Sequence, residues 1–258
     1  MRLSVIIIAR NEADNIAECL ASVAFADERI VLDSGSTDDT VALAREAGAR
    51  VEVNAEWPGF GPQKNRVLAM ASGDWVLSID ADERVTPELA REIQAVIADP
   101  QAVSAYAMPR LSSFCGRFIR HSGWWPDDVV RLFRRGHARF TDVAVHERLM
   151  TQAPPGRLKA HLLHYTYPDL HAALHKMNRY SSDAAAMMHA RGKRASLGSA
   201  FGHGSWTFIR IYLLRRGFLD GRHGLVLAAV AAMGSFSRYA KLMFLSRNTP
   251  SRPADEDS

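Results

Sequence analysis

Residues 73–84 read GDWVLSIDADER, and they combine a predicted strand with the most informative polar cluster of the chain. An apolar run over residues 75–79 ends in two carboxylates, Asp80 and Asp82, which are separated by one residue. A short apolar run bounded by turn-forming and acidic residues is typical of a buried strand. In open parallel sheets, ligands bind at the carboxyl ends of the strands. We therefore expect Asp80 and Asp82 to lie at a ligand-binding edge of a sheet.

Outward from this strand, the first hundred residues alternate short apolar runs with helical patterns. The predicted strands cover residues 3–9, 29–33, 50–54 and 75–79, and the predicted helices cover about 16–23, 37–48, 63–71 and 86–97. Alternation of this kind indicates βαβ units and a mainly parallel sheet. The predicted class is therefore α/β with a Rossmann-like first domain.

The second half of the chain has a different pattern. Residues 104–167 contain short strands and turns, which predict a partly antiparallel extension of the sheet. Helices are predicted over residues 169–191, 206–216 and 225–245, with a Gly- and Ser-rich linker over 196–205. The longest late apolar run, 225–233, is shorter than the roughly 20 residues needed to span a bilayer. The sequence thus predicts no transmembrane helix.

Composition limits the possible classes of protein. A chain of 258 residues with 47% hydrophobic and 23% charged residues is typical of a folded globular protein. Cys19 and Cys115 lie far apart and lack metal-type spacing, which argues against a disulfide framework or a thiolate zinc site. A reducing, cytosol-facing location fits this cysteine usage best.

The pair Asp80 and Asp82 has a specific chemical use. Mg²⁺ and Mn²⁺ prefer oxygen ligands and retain open positions for phosphate. Two carboxylates at a strand end suit such a cation, which would neutralise charge on a leaving diphosphate. The alternative is an Asp-rich turn or helix cap, which is the commoner role of an isolated Asp-x-Asp.

Three further polar clusters follow predicted strands or open helices. They are Arg10-Asn11-Glu12, the segment Asp33-Ser34-Gly35-Ser36-Thr37-Asp38, and Lys64 at the start of its helix. For Asp33, a cap on the following helix is an equally good interpretation.

Three segments, taken in order and spacing, resemble the family 2 inverting glycosyltransferases of GT-A fold. They are residues 5–12 (VIIIARNE), 33–39 (DSGSTDD) and 73–84. Later segments resemble a subgroup that includes glycosyltransferases of lipopolysaccharide core biosynthesis. These are residues 125–135 (WPDDVVRLFRR), 145–148 (VHER) and 164–167 (HYTY).

The resemblance implies a nucleotide-sugar site with assigned roles. Ala9, Arg10 and Glu12 would line the nucleoside pocket, Asp33 would bond to uracil or ribose, and Ser34 and Ser36 would shape the adjacent loop. Lys64 and Arg66 would bind the diphosphate. Asp80 would contact the ribose or the metal and its water shell, and Asp82 would ligate the metal. His164 would be a further metal ligand, although a hydrogen-bonded histidine in a half-buried strand is an equal alternative.

An inverting transfer needs a general base that takes the proton of the acceptor hydroxyl. Glu147 is the first candidate, and Asp127 and Asp128 are the next. The chain lacks the plain Glu-Asp pair that many relatives carry at the equivalent place. A lone glutamate such as Glu147 is more often a solvated surface residue.

The C-terminal third is basic and amphipathic. Its helices carry large apolar residues studded with Arg and Lys, and Asp220 is the only acid between residues 206 and 247. Apolar faces flanked by cations are typical of helices that lie in a membrane surface. The alternative is a helical hairpin packed on the catalytic domain with a basic face toward solvent.

The resemblance, taken with the Asp80 and Asp82 pair, implies a glycosyltransferase that uses Mg²⁺ or Mn²⁺. It would move a hexose, glucose, from a UDP-sugar to a lipid-linked saccharide. It would be peripheral on the cytoplasmic face of the inner membrane and bind the anionic surface there. The predicted domains are residues 1–168 (GT-A), 169–247 (helical and basic) and 248–258 (a flexible tail). Alternatives are a noncatalytic saccharide- or nucleotide-binding protein of the same fold and a nucleic-acid-binding protein. For the glycosyltransferase, which is the favoured interpretation, no nucleic-acid partner is expected.

Overall fold

The structure is a computed structural model that describes residues 1–142 and 148–247, without the side chain of residue 247. The chain forms two compact units. The first consists of Met1–Ser112 and Pro126–Thr166, and the second of Ser113–Trp125 and the chain from Tyr167 onward. The predicted domain bounds stay a prediction.

Strands and helices alternate through the first hundred residues, as the apolar pattern predicts. The strands are β1 (Leu3–Ala9), β2 (Glu28–Asp33), β3 (Arg50–Val53), β4 (Trp75–Ser78), β5 (Glu83–Val85), β6 (Ala105–Phe114), β7 (Arg117–Phe118), β8 (Asp127–Arg134), β9 (Ala138–Phe140), β10 (Leu149–Thr151), β11 (Gly156–Arg157) and β12 (Leu162–Tyr167). The helices are α1 (Ala13–Ser22), α2 (Thr40–Glu46), α3 (Phe60–Ala69), α4 (Pro87–Ala98), α5 (Leu170–Ala190), α6 (Leu197–Ile209) and α7 (Gly221–Arg247).

The main sheet has the strand order β3-β2-β1-β4-β8-β6-β12-β5. Strand β1 pairs parallel with β2 and β4, whereas β8 runs antiparallel to both β4 and β6. Residues of β1 are almost all buried, as expected for a central strand covered by helices on both faces. The predicted α/β class, with a parallel sheet and an antiparallel extension, is confirmed.

Helix α4 shows how local chemistry sets an element. The side chain of Thr86 caps its first turn by accepting a hydrogen bond from the backbone N–H of Leu89. Pro87 occupies the first helical position, where a missing N–H has no cost. Apolar residues at helical spacing then bury one face against the sheet, including Leu89, Ile93 and Ile97. The predicted start of this helix is confirmed.

The second unit is built mainly from α5, α6 and α7. The prediction of a Gly- and Ser-rich linker over residues 196–205 is wrong, because most of it is the first part of α6. Ser196 and Ser199 form a reciprocal capping box that starts the helix. A Cβ on Gly204 would lie 3.2 Å from that of Phe236 in α7, so a small residue there permits close helix packing.

Helix α7 is longer than predicted. The stretch Gly217–Ser246 is long and apolar enough to cross a membrane, judged by length and composition alone. The expectation that no segment reaches this length is wrong, because it counted only the uninterrupted run 225–233. Core helices of soluble proteins meet the same criteria, so length and hydropathy alone do not place α7 in a membrane.

Candidate active site

The carboxyl ends of three neighbouring strands meet at one edge of the sheet. Ala9 at the end of β1 pairs in register with Asp33 at the end of β2. Strand β4, on the other side of β1, ends at Ser78 and leads through Ile79 into Asp80. The structure therefore brings the strand-end clusters of the sequence to a common edge, as expected for parallel strands.

Asp80 lies between two cationic side chains. Its Oδ1 lies 3.0 Å from Nζ of Lys64, and its Oδ2 accepts a hydrogen bond of 2.5 Å from Nη2 of Arg131. Lys64 is contributed by the first turns of α3, and Arg131 by β8. Both carboxylate oxygens of Asp80 are thus engaged by protein cations.

A buried glutamate extends this cluster. Glu83 is fully buried, and its Oε1 lies 2.6 Å from Nη2 of Arg131 and 3.4 Å from Nη1 of Arg110. Its Oε2 accepts a hydrogen bond of 2.9 Å from the backbone N–H of Asp80. Glu83 therefore holds the backbone of Asp80, while Arg131 holds its carboxylate. We call Lys64, Asp80, Glu83, Arg110 and Arg131 the charged cluster.

Burial and charge act in opposite directions within the charged cluster. Burial by itself raises the pKa of the Asp80 carboxyl, but the charges of Arg131 and Lys64 outweigh it and hold that pKa well below its ordinary value. Burial lowers the pKa of Arg131, and the carboxylates of Asp80 and Glu83 outweigh it and raise that pKa. Asp80 and Arg131 therefore stabilise each other in their charged forms.

The second carboxylate of the motif faces a histidine. Oδ2 of Asp82 lies 3.3 Å from Nε2 of His164, which β12 places beside β5. The hydroxyl groups of Ser112 and Thr166 lie 3.0 and 2.8 Å from the other ring nitrogen, Nδ1. Both ring nitrogens of His164 thus have polar neighbours, and the ring is held with Nε2 toward Asp82.

The pair Asp82 and His164 can supply two ligands to a cation. Over residues 1–142 and 148–247, no group of three or more His, Cys, Asp or Glu side chains is arranged to hold a metal ion. Mg²⁺ in nucleotide sites is commonly bound by one or two carboxylates together with substrate phosphates. The donor set therefore fits a divalent cation whose remaining ligands come from a diphosphate. Asp80, with both oxygens on protein cations, is less available as a third ligand.

The loop after β2 is organised by its own aspartate. Asp33 is buried, and its Oδ1 accepts hydrogen bonds of 2.9 Å from the backbone N–H groups of Gly35 and Ser36. Its Oδ2 accepts a further hydrogen bond from the hydroxyl of Ser36. Ser34 is also buried and accepts a hydrogen bond from Gln63. Asp33 therefore shapes its own loop instead of capping α2.

The loop after β1 carries the other predicted nucleoside residues. Ala9 is buried, Arg10 is exposed, and Glu12 is half-buried beside the start of α1. Burial raises the pKa of Glu12, a hydrogen bond from Asn15 partly opposes this, and the negative charges of Asp82, Asp38 and Asp80 raise it further. Glu12 is therefore electrostatically coupled to the edge that holds Asp80 and Asp82.

Arg66 is not brought to the charged cluster. Its Nη2 lies 2.7 Å from Oε2 of Glu56, a largely exposed carboxylate. Lys64 and Arg66 stand two positions apart on α3, and residues two apart do not share a helix face. Of the two cations predicted to serve the diphosphate, only Lys64 contacts Asp80.

The candidate bases differ in their surroundings. Oδ2 of Asp127 accepts hydrogen bonds of 3.0 and 2.6 Å from Arg110, which lies opposite it in the β6–β8 register. Asp128 is exposed and lies 3.1 Å from Nη2 of Arg157. Glu147, the first candidate, lies outside the described residues.

Sequence reasoning missed Glu83, Arg110 and Arg131 as members of the site. Arg131 stands within an apolar strand, and Glu83 follows the two aspartates directly. A charged residue in a buried strand needs a partner of opposite charge. The arginine within the apolar run 129–133 could therefore have indicated a buried ion pair.

The chain matches one protein family and several known proteins. A model described as glycosyl transferase family 2 matches residues 4–154. The chain is 32% identical over 257 residues to an uncharacterized glycosyltransferase of Rickettsia typhi, covering 95% of this chain and 88% of the relative. It is 28% identical over 256 residues to the lipopolysaccharide core biosynthesis glycosyltransferase LpsC of Rhizobium meliloti, covering 92% and 93%.

A solved structure also matches part of the chain. It is glucosyl-3-phosphoglycerate synthase of Mycobacterium tuberculosis in complex with Mn²⁺, UDP and glucosyl-3-phosphoglycerate. The match has 32% identity and a TM-score of 0.38, and it covers 42% of this chain and 44% of that one.

Proposed function

Because the chain belongs to glycosyl transferase family 2, we propose that it transfers a hexose, glucose, from a UDP-sugar to a hydroxyl of a lipid-linked saccharide, with inversion. The observation that carries this proposal is the edge of the sheet where the charged cluster meets the pair Asp82 and His164. Similarity to LpsC, named for lipopolysaccharide core biosynthesis, supports a saccharide of that kind as the acceptor.

The charges at this edge suit a nucleoside diphosphate. The side-chain cations of Lys64 and Arg131 contact Asp80, which follows β4 at the edge of the sheet where open α/β sheets bind nucleotides. Asp82 and His164 would hold a Mg²⁺ or Mn²⁺ ion, which supplies positive charge to a leaving diphosphate when bound. Asp33 and its loop lie on the neighbouring strand, where a nucleoside would sit.

The donor is tested by a screen of UDP- and GDP-sugars for thermal stabilisation of the protein with and without Mn²⁺. A ligand that binds only the folded state stabilises it by about 2.7 kcal/mol at one hundred times its Kd. We expect UDP-glucose to give the largest shift and Mn²⁺ to enlarge it. A larger shift with a GDP-sugar would contradict the proposed donor. Equal shifts with and without Mn²⁺ would contradict the proposed cation.

The second prediction concerns the general base. Glu147→Gln is expected to lower the transfer rate by at least about 100-fold, the usual scale for a general base, with donor binding almost unchanged. Asp127 and Asp128 are each paired with an arginine, so either must leave that partner before it can accept a proton. Asp127→Asn and Asp128→Asn are therefore expected to have smaller effects.

Steady-state rates with donor and acceptor, together with donor affinity from calorimetry, check this prediction. Near-normal turnover of Glu147→Gln combined with an inactive Asp127→Asn or Asp128→Asn would assign the base to residues 127–128. A loss of donor affinity in Glu147→Gln would instead indicate a binding role for that carboxylate.

The proposed acceptor implies a location for the enzyme. A lipid-linked saccharide remains at a membrane, so we propose that the chain is peripheral on the cytoplasmic face of the inner membrane and contacts anionic lipid. The apolar helix α7 and the basic C-terminal third support this location.

A further inference from the structure

The connection between α6 and α7 exposes four large apolar side chains. It consists of a π-helical turn, Arg210–Leu214, and a 3₁₀ turn, Gly217–Asp220. The exposed fractions are 54% for Leu213, 64% for Leu214, 46% for Phe218 and 50% for Leu219. We call these four residues the apolar tip. Clustered apolar side chains in solvent are unfavourable, and they commonly mark an interaction surface.

The tip is anchored by a buried carboxylate. Asp220 is 3% exposed, and it accepts hydrogen bonds of 3.1 Å from the backbone N–H groups of Arg120 and His121. The hydroxyl of Ser122 donates a further bond of 3.0 Å. These bonds tie the 3₁₀ turn to the segment 120–122 and fix which side chains of the turn face outward.

The backbone of the tip is also constrained. Arg216 has a φ of 53°, a left-handed conformation that is uncommon for a residue with a Cβ. A Cβ on Gly224 in α7 would lie 1.9 Å from the carbonyl oxygen of Gly217, so the turn packs directly on the helix backbone. Strained conformations persist where the surrounding structure enforces them, often at functional sites. The apolar tip is therefore presented in a defined geometry.

The charges around the tip have one sign. Arg210, Arg215, Arg216 and Arg222 are exposed on or beside the two turns. Asp220 is the only acid in the sequence from residue 197 to 247, and its carboxylate is buried. The surface around the tip therefore attracts anions without competition from acids of the same segment.

We propose that the apolar tip inserts into the acyl boundary of an anionic bilayer while the surrounding arginines bind lipid phosphates. This inference rests on the membrane partner proposed above and assigns that contact to particular residues. Leucine and phenylalanine side chains enter the acyl boundary of a membrane, and neighbouring cations meet the headgroups. A bilayer supplies both an apolar layer and a layer of negative charge, in the order that the tip and its arginines require.

A second copy of this chain fits the tip less well. A two-fold dimer buries the same patch on both copies, so the arginines of one would oppose those of the other. Like charges facing each other across an interface are unfavourable. Nucleic acid would satisfy the arginines, but its phosphate backbone leaves the four apolar side chains without an apolar partner.

The test measures sedimentation with vesicles made of equal parts phosphatidylcholine and phosphatidylglycerol, beside vesicles of phosphatidylcholine alone. The tip variant is Leu214→Ser/Phe218→Ser, and we expect it to bind anionic vesicles at least about 100-fold more weakly, because two large apolar side chains leave the acyl boundary. Arg210→Gln/Arg222→Gln is expected to weaken binding about fivefold per arginine.

A matched control removes apolar residues of similar exposure elsewhere in the second unit. Met187 and Leu197 are 50% and 53% exposed and lie outside the tip, so Met187→Ser/Leu197→Ser is expected to bind as the intact chain does. If the tip variant fails to fold, Leu214→Trp provides a second measurement. Its fluorescence should be quenched by brominated acyl chains beyond the level of the intact protein.

The outcomes separate the possible failures. If the tip variant binds anionic vesicles as tightly as the intact chain, or if Leu214→Trp shows no added quenching, the proposed insertion of the tip is overturned. The membrane then remains the proposed partner through another surface. No binding of the intact chain to either vesicle overturns both, while the donor screen still tests the transferase. A tip variant that changes an oligomer into a monomer by light scattering identifies a second copy as the occupant and overturns the proposal.

Discussion

Asp82→Ala is expected to abolish sugar transfer while the fold stays intact. The Asp82 carboxylate is partly exposed at a strand end and faces Nε2 of His164, so its removal leaves the core of the sheet unchanged. If it holds the cation beside the diphosphate, its loss removes several kcal/mol of transition-state stabilisation. The transfer rate should then fall by at least about 1,000-fold.

Two measurements check this result, and one of them does not depend on turnover. The first is the transfer rate at controlled Mn²⁺, and the second is the thermal shift caused by UDP with and without Mn²⁺. In Asp82→Ala the Mn²⁺-dependent part of the shift should disappear. Asp39→Ala is the matched control, because Asp39 is an exposed aspartate whose side chain does not cap α2. Full activity of Asp82→Ala at limiting Mn²⁺ would show that Asp82 is not a metal ligand.

Arg131→Met is expected to destabilise the first unit by about 3–5 kcal/mol, the usual effect of removing one partner of a buried ion pair. Arg131 contacts both Asp80 and the fully buried Glu83. Without the guanidinium group, Glu83 keeps a buried negative charge with one arginine at 3.4 Å. Asp80 also loses one of its two cations, so donor binding should weaken together with stability.

Urea denaturation checks the loss of stability, and Arg91→Met is its control. Arg91 pairs with Glu88 on an exposed helix face, with side chains 72% and 65% exposed. Removal of an exposed pair changes stability by less than about 1 kcal/mol. A change of that small size in Arg131→Met would show that Arg110 alone neutralises Glu83.

The first half of the chain was predictable because its signals are local. Apolar runs, caps and strand-end aspartates are readable over fewer than twenty residues, and their order resembled the family that the comparisons confirm. The GT-A-like α/β sheet and the shared edge of Ala9, Asp33 and Asp80 follow from that pattern. The linker predicted at 196–205 was wrong because glycine and serine also suit close helix contacts and caps.

Local sequence patterns were enough to predict the class of fold, the family and the position of Asp80 and Asp82 after a buried strand, because parallel strands end at one edge whatever their partners are. The roles of the two aspartates stay a prediction. Which charges meet at that edge depends instead on long-range packing. Arg131 reaches Asp80 across 51 residues through the antiparallel pairing of β8 with β4, and His164 reaches Asp82 through the pairing of β12 with β5. Ion pairs of this kind depend on strand register, which long-range packing sets and no local pattern encodes.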